Sequence, residues 1–249
     1  VYWYELSRDE ASLDRALASL CGFRDYFVAQ VAAGQRPGSE SFFRAHGVLY
    51  SLHRVQAAGR LPAELRTAYE PIARALVGLH ERGTNNRPTL WAAAAAAAAR
   101  VFPDAPEAAA WQAYAEAVWQ DWLLFRDTNE FGYWHHHLGG LLDLADALGR
   151  TSELRTAGFA SVAQRYRDFV APSGRAVTAG DGALMHGAMA LVFARCARVF
   201  DDPTLVWAAQ RTVDAAITEG RRDLAPLATL LGRSDVTSAA QAPAFAPQV

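Results

Sequence analysis

Apolar and polar positions follow one another with a spacing of three to four along nearly the whole chain. Five stretches set a helix-start signal before such a run: "SRDEASLDRAL" from Ser7, "GRLPAELRTAYEPIARAL" from Gly59, "FPDAPEAAAWQAYAEAV" from Phe102, "RTSELRTAGFASVAQRY" from Arg150 and "FDDPTLVWAAQRTVDAA" from Phe200. A Ser, Asp or Thr cap, or a first-turn proline, followed by apolar residues at this spacing predicts an amphipathic helix. The starts recur at roughly 45–50 residues, the length of a helix pair with its loops.

Between them lies a second class of helix, more apolar and richer in small residues: "SFFRAHGVLYSLHRV", "TLWAAAAAAAARVF", "HHHLGGLLDLADAL" and "GALMHGAMALVFARCARVF". A helix that is apolar around most of its circumference is buried on more than one side, whereas a single apolar stripe suits an outer layer. Inner helices alternating with outer ones through short loops predict an all-α fold. Its architecture is an α/α toroid of about five helical hairpins, an incomplete or compact barrel, over residues 1–233. No run reads as a β-strand. The tract Ala92–Ala99 is strongly helix-forming and lets neighbouring backbones approach closely, which is a packing role. From Ser234 the period is lost, and 234–249 reads as an irregular C-terminal tail.

Composition narrows the chemistry. The 249 residues carry a net charge of -2, so no global field draws the chain to nucleic acid or to an anionic membrane. All 24 basic residues are arginine; without lysine there is neither Schiff-base chemistry nor a P-loop lysine. Arginine supplies rigid, bidentate partners for carboxylates. Cys21 and Cys196 lie in apolar helical contexts and read as two buried free thiols, with no CxxC pair for metal or redox work. No apolar run reaches the length of a membrane span, and no signal peptide is visible from Val1 onward.

Polar residues concentrate where loops lead into inner helices. In "HERGTNNRPTLW" (80–91), Asn85 and Asn86 can cap the helix while standing beside Arg87 and near Trp91. Amide and guanidinium groups at a helix N-terminus hold a carboxylate well, and an indole can stack on a sugar face. In "RDTNEFGYWHHHLGGLLDLADALG" (126–149), His135, His136 and His137 are turned by about 100° from one to the next and cannot all face one point. The i+4 positions that a helical zinc pair needs are Gly139 and Gly140, so no metal is expected. Those glycines leave room beside an imidazole, Tyr133 stands just before, and Glu130 can orient a histidine. Asp143 and Asp146 read as ordinary polar positions. In "PSGRAVTAGDGALMHGAMAL" (172–191), Asp181 is a cap or a ligand, and His186 a core histidine or a cleft residue. His46 and His53, seven apart on one inner helix, share a face with nothing nearby to mark them out.

The stretches "GTNNRPTLWAAAAAAAARVFPDAPEAAAWQAYAEAVW", "DTNEFGYWHHHLGGLLDLADALG" and "GDGALMHGAMALVFARCARVFDDPTLVWAAQR" resemble the α/α-toroid catalytic domains of polysaccharide lyases, the grouping that includes heparinase-like, alginate and glucuronan lyases. The likeness runs from about Ala73 to Arg211, and the Asn-Asn-Arg loop is its most specific piece. It implies β-elimination at a uronic acid of an acidic polysaccharide, without a cofactor, and a secreted or periplasmic location. On that resemblance, Asn85 or Asn86 with Arg87 binds the uronate carboxylate, Tyr133 is the leading acid or base, His135 or His136 is its partner, and Glu130 orients that histidine. Trp91, Arg126, Trp134, Asp181 and His186 are expected to touch substrate. Two other readings compete. A toroidal glycoside hydrolase would use two of Asp127, Glu130 and Asp181 at a separation of about 5–9.5 Å. A non-catalytic helical-repeat binding protein would leave Asn85, Asn86, Tyr133 and His136 dispersed. A terpene-cyclase-like enzyme lacks its DDxxD run here.

Overall fold

The computed structural model describes residues 1–35, 42–77, 81–125, 133–156, 158–175 and 186–221, together with 227 and 231. Among these the fold is all-α, with no strand. The expected 234–249 tail lies outside them.

The chain divides into two compact units. The first takes Val1 and residues 3–128 and returns for 139–150; the second holds Tyr2, 129–138 and 151–249. In the first unit α1 (Tyr2–Ser7) stops at Arg8, whose left-handed φ of 56° turns the chain into α2 (Glu10–Ala32). Asp9 caps α2 by accepting from the Ala11 N–H, as the start signal at Ser7 foretold. There follow α3 (Phe42–Ala57), α4 (Ala63–Leu76), α5 (Asn86–Val101) and α6 (Ala108–Leu124). The alanines Ala92–Ala98 are wholly buried, and α5 packs against α3 on one side and α6 on another. Side chains that end at Cβ are what let two helices close on a third at once.

Helix α7 (Trp134–Leu148) starts in the second unit, which also contains α8 (Thr151–Thr156), α9 (Phe159–Asp168), α10 (His186–Phe200) and α11 (Pro203–Thr218). The single helix expected over "RTSELRTAGFASVAQRY" is two, because Gly158 adopts φ 75° and breaks the run. Asp202 caps α11 by accepting from Thr204 N–H at 2.9 Å, and Pro203 opens its first turn. Helix α10 packs on α11, with α9 against both and α8 against α10 and α9. No helix among the described residues is long and apolar enough to cross a membrane. Both cysteines are free, but only Cys196 is buried; Cys21 is exposed on α2, correcting the expectation of two buried thiols. Burial pushes the Cys196 thiol up to about 12.

Candidate functional site

The entrance to α5 is built by α6 beside it. Arg82 clamps Asp121 of α6 with two bonds of 2.7 Å, and Gly83 N–H donates to the same carboxylate. Trp122 Nε1 donates to Thr89 Oγ1, which donates in turn to the Asn85 carbonyl. The carboxamide oxygens of Asn85 and Asn86 both accept from Arg87 N–H, at 3.2 and 2.9 Å. Both asparagines therefore serve the helix start. The Arg87 guanidinium holds the Glu81 carboxylate at 2.6 Å and lies over the Phe42 ring. Trp91 is 7% exposed and belongs to the core more than to a surface.

In the second unit, the start of α7 stacks Trp134 on Tyr166 at 5.0 Å and sets it tilted against Phe193 at 4.6 Å, which buries the indole. His135 and His137 are buried, while Tyr133 and His136 are partly exposed, their ring centroids 6.0 Å apart. The His135 and His136 rings lie 4.1 Å from each other. Burial, with the charges of the neighbouring histidines, lowers His135 to about 3; burial and His136 lower His137 to about 4. Both are neutral imidazoles at neutral pH. Among the described residues neither ring nitrogen of His135 has a hydrogen-bond partner, and neither does Nε2 of the buried His186. Arg126, Asp127, Glu130 and Asp181 lie outside the described residues. The room expected beside the imidazoles at Gly140 does not exist: a Cβ there would meet the Leu90 side chain at 2.9 Å and Thr89 at 3.1 Å. That glycine seats α7 against α5.

Sequence reasoning passed over a polar cluster in the first unit. His46, Tyr50, His53 and Arg54 fall at i, i+4, i+7 and i+8 on α3, and Asp143 and Asp146 at i and i+3 on α7. These are same-face spacings on both helices. His46 Nε2–H donates to the fully buried Asp143 at 2.7 Å. Tyr50 hydroxyl stands 3.0 Å from both Glu5 of α1 and Asp146, one proton facing two acceptors. Arg54 spans the same pair, Nη1 to Asp146 at 2.8 Å and Nε to Glu5 at 3.1 Å; His53 faces Asp146 at 3.5 Å. Asp143 and Asp146 are thus not ordinary polar positions. The available signal was charge on helices otherwise apolar, since a buried charge requires a partner.

Burial raises Asp146, but His53, Arg54 and Tyr50 outweigh it and hold the carboxyl down to about 2. A depressed folded-state value means stability that is present above pH 4 and lost as pH falls toward 2. Asp146→Asn keeps the shape and removes the charge, and it is expected to lower stability by about 2 kcal/mol at pH 7. The difference from wild type in urea denaturation should shrink below pH 4; a variant as stable as wild type at pH 7 would show that the charge contributes nothing. No group of three or more metal-ligating side chains occurs among the described residues. No family model, curated protein or solved structure matches the chain.

Proposed function

We propose that the chain is an α/α-toroid polysaccharide lyase that cleaves a uronic-acid-containing polysaccharide by β-elimination. The observation that supports it is the partly exposed Tyr133–His136 pair at the start of an inner helix, beside a histidine held neutral. Elimination needs a base for the C5 proton and an acid for the departing glycosidic oxygen; the C4–O bond breaks as the C4–C5 double bond forms. A phenol and an imidazole are groups of that kind. Tyr133 is the leading proton-transfer group. His136 is its partner rather than His135, which is 3% exposed and too weak a base once lowered to about 3. On the resemblance, Asn86 and Arg87 bind the uronate carboxylate; they belong to the first unit, and Tyr133 and His136 to the second. Arg87 is paired with Glu81 at 2.6 Å, so holding a uronate requires it to exchange that partner.

The test is ultraviolet absorbance during incubation with glucuronan, alginate, hyaluronan and heparinoids. The unsaturated uronate produced by elimination absorbs, and the product of hydrolysis does not. Tyr133→Phe is expected to cut the rate by about a hundredfold or more. New reducing ends without absorbance would move the case to paired carboxylates and hydrolysis; silence in both assays would favour a binding scaffold.

A further inference from the structure

Glu81 precedes α5 and Arg87 lies in its first turn, both in the first unit. The main chain at each of them is fastened without help from their ion pair. The Tyr114 hydroxyl donates to the Glu81 carbonyl at 2.7 Å, and burial raises that phenol to about 12, so the donor keeps its proton. Next along, Arg82 donates to the Ala117 carbonyl at 3.0 Å as well as to Asp121, which also accepts from Gly83 N–H. At the helix start, the carboxamides of Asn85 and Asn86 hold the Arg87 N–H.

The pair itself is a surface feature. The Arg87 and Glu81 side chains are 58% and 32% exposed, and ion pairs this open contribute little to folding. Opening the contact strands neither charge, because both return to water. The guanidinium lies over the Phe42 ring, its carbon 5.9 Å from the centroid, an attraction that persists whichever anion faces it. Arg87 is thus a cation held at a fixed helix start, with an exchangeable carboxylate on it.

Exchange has a consequence for binding. Any carboxylate that Arg87 takes from solution must displace Glu81, and until Glu81 has moved it also repels that carboxylate as a like charge. We propose that Glu81 is an internal competitor that sets the affinity of Arg87 for an acidic oligosaccharide. The class of ligand rests on the lyase reading.

Calorimetry on the full chain tests this, with a glucuronate tetrasaccharide and with neutral cellotetraose. Glu81→Gln should bind the acidic sugar roughly fivefold more tightly than wild type, the upper range for releasing one exposed ion pair. Glu81→Asp, which withdraws the carboxylate by one methylene, should fall between the two. The gain should shrink at high ionic strength, where exposed charges are screened, and should vanish in an Arg87→Gln background. Cellotetraose affinity should change little. The melting temperature of Glu81→Gln should stay within about two degrees of wild type, since the main chain is anchored independently. Glu81→Gln binding the acidic sugar no more tightly than wild type overturns the proposal, and so does an equal gain for cellotetraose. A gain that survives Arg87→Gln does the same, as would a melting temperature many degrees lower, which would make the pair a structural fastening. If Glu81→Gln binds more tightly and no polyuronate yields unsaturated product, the lyase reading fails alone, since binding is read without turnover.

Discussion

Lowering the pH from 7 to 5 is expected to remove about 4 kcal/mol of folding stability through two histidines alone. His135 and His137 are held at about 3 and about 4 in the folded chain, below the ordinary histidine value of 6.5. The unfolded chain therefore takes up two protons around pH 6.5 that the folded chain refuses. The side binding more protons gains as pH falls, so stability declines below 6.5 and levels off only near the folded values. At pH 5 each histidine contributes about 2 kcal/mol to that loss. The window is separate from that of Asp146, whose contribution disappears only below pH 4. Urea denaturation at pH 7, 6 and 5 checks this, and His135→Phe should remove about half of the slope. Equal stability at pH 7 and 5 would mean that the imidazoles are not buried as neutral groups.

Gly174→Ala is the second large effect, expected to cost about 4 kcal/mol or more. The turn at residues 171–175 lies against α11, closed by Ala171 N–H donating to the Arg175 carbonyl and Gly174 N–H to the Ala171 carbonyl. At Gly174 φ is +83°, which L side chains rarely adopt. A Cβ would also sit 1.9 Å from the Arg211 carbonyl oxygen and 2.6 Å from its carbon. Both obstacles are backbone, so no rotamer change relieves them. The turn must lift away, separating Arg175 from Glu219, now 3.0 Å apart. A melting temperature within a degree or two of wild type would show that the turn relocates freely.

Helix positions were the most legible part of the sequence, because caps and three-to-four spacing are local signals. Asp9, Asn85 and Asp202 each cap the helix their position implied. The break at Gly158 was visible as a glycine but ambiguous, since a helix can carry one at modest cost. The candidate groups at the start of α7 were found from composition, but not their division into buried and exposed. That division depends on Trp134, Tyr166 and Phe193, which are distant in sequence. The α1–α3–α7 cluster was missed for the same reason. His46 and Asp143 lie 97 residues apart, and each looks unremarkable until its partner is known.

The alanine tract of α5 has a mechanical consequence. In most cores a leucine or methionine rotates to absorb a neighbour's change, and the disturbance dies within one side chain. Ala92–Ala98 offer no χ torsion of their own, so any give at the contacts with α3 and α6 comes from those helices' side chains or from the backbone. Helix α5 therefore behaves as a stiff rod without shock absorbers. Less of a displacement arriving from α3 is absorbed within α5 itself, and the end that carries Asn85, Asn86 and Arg87 is held correspondingly firmly.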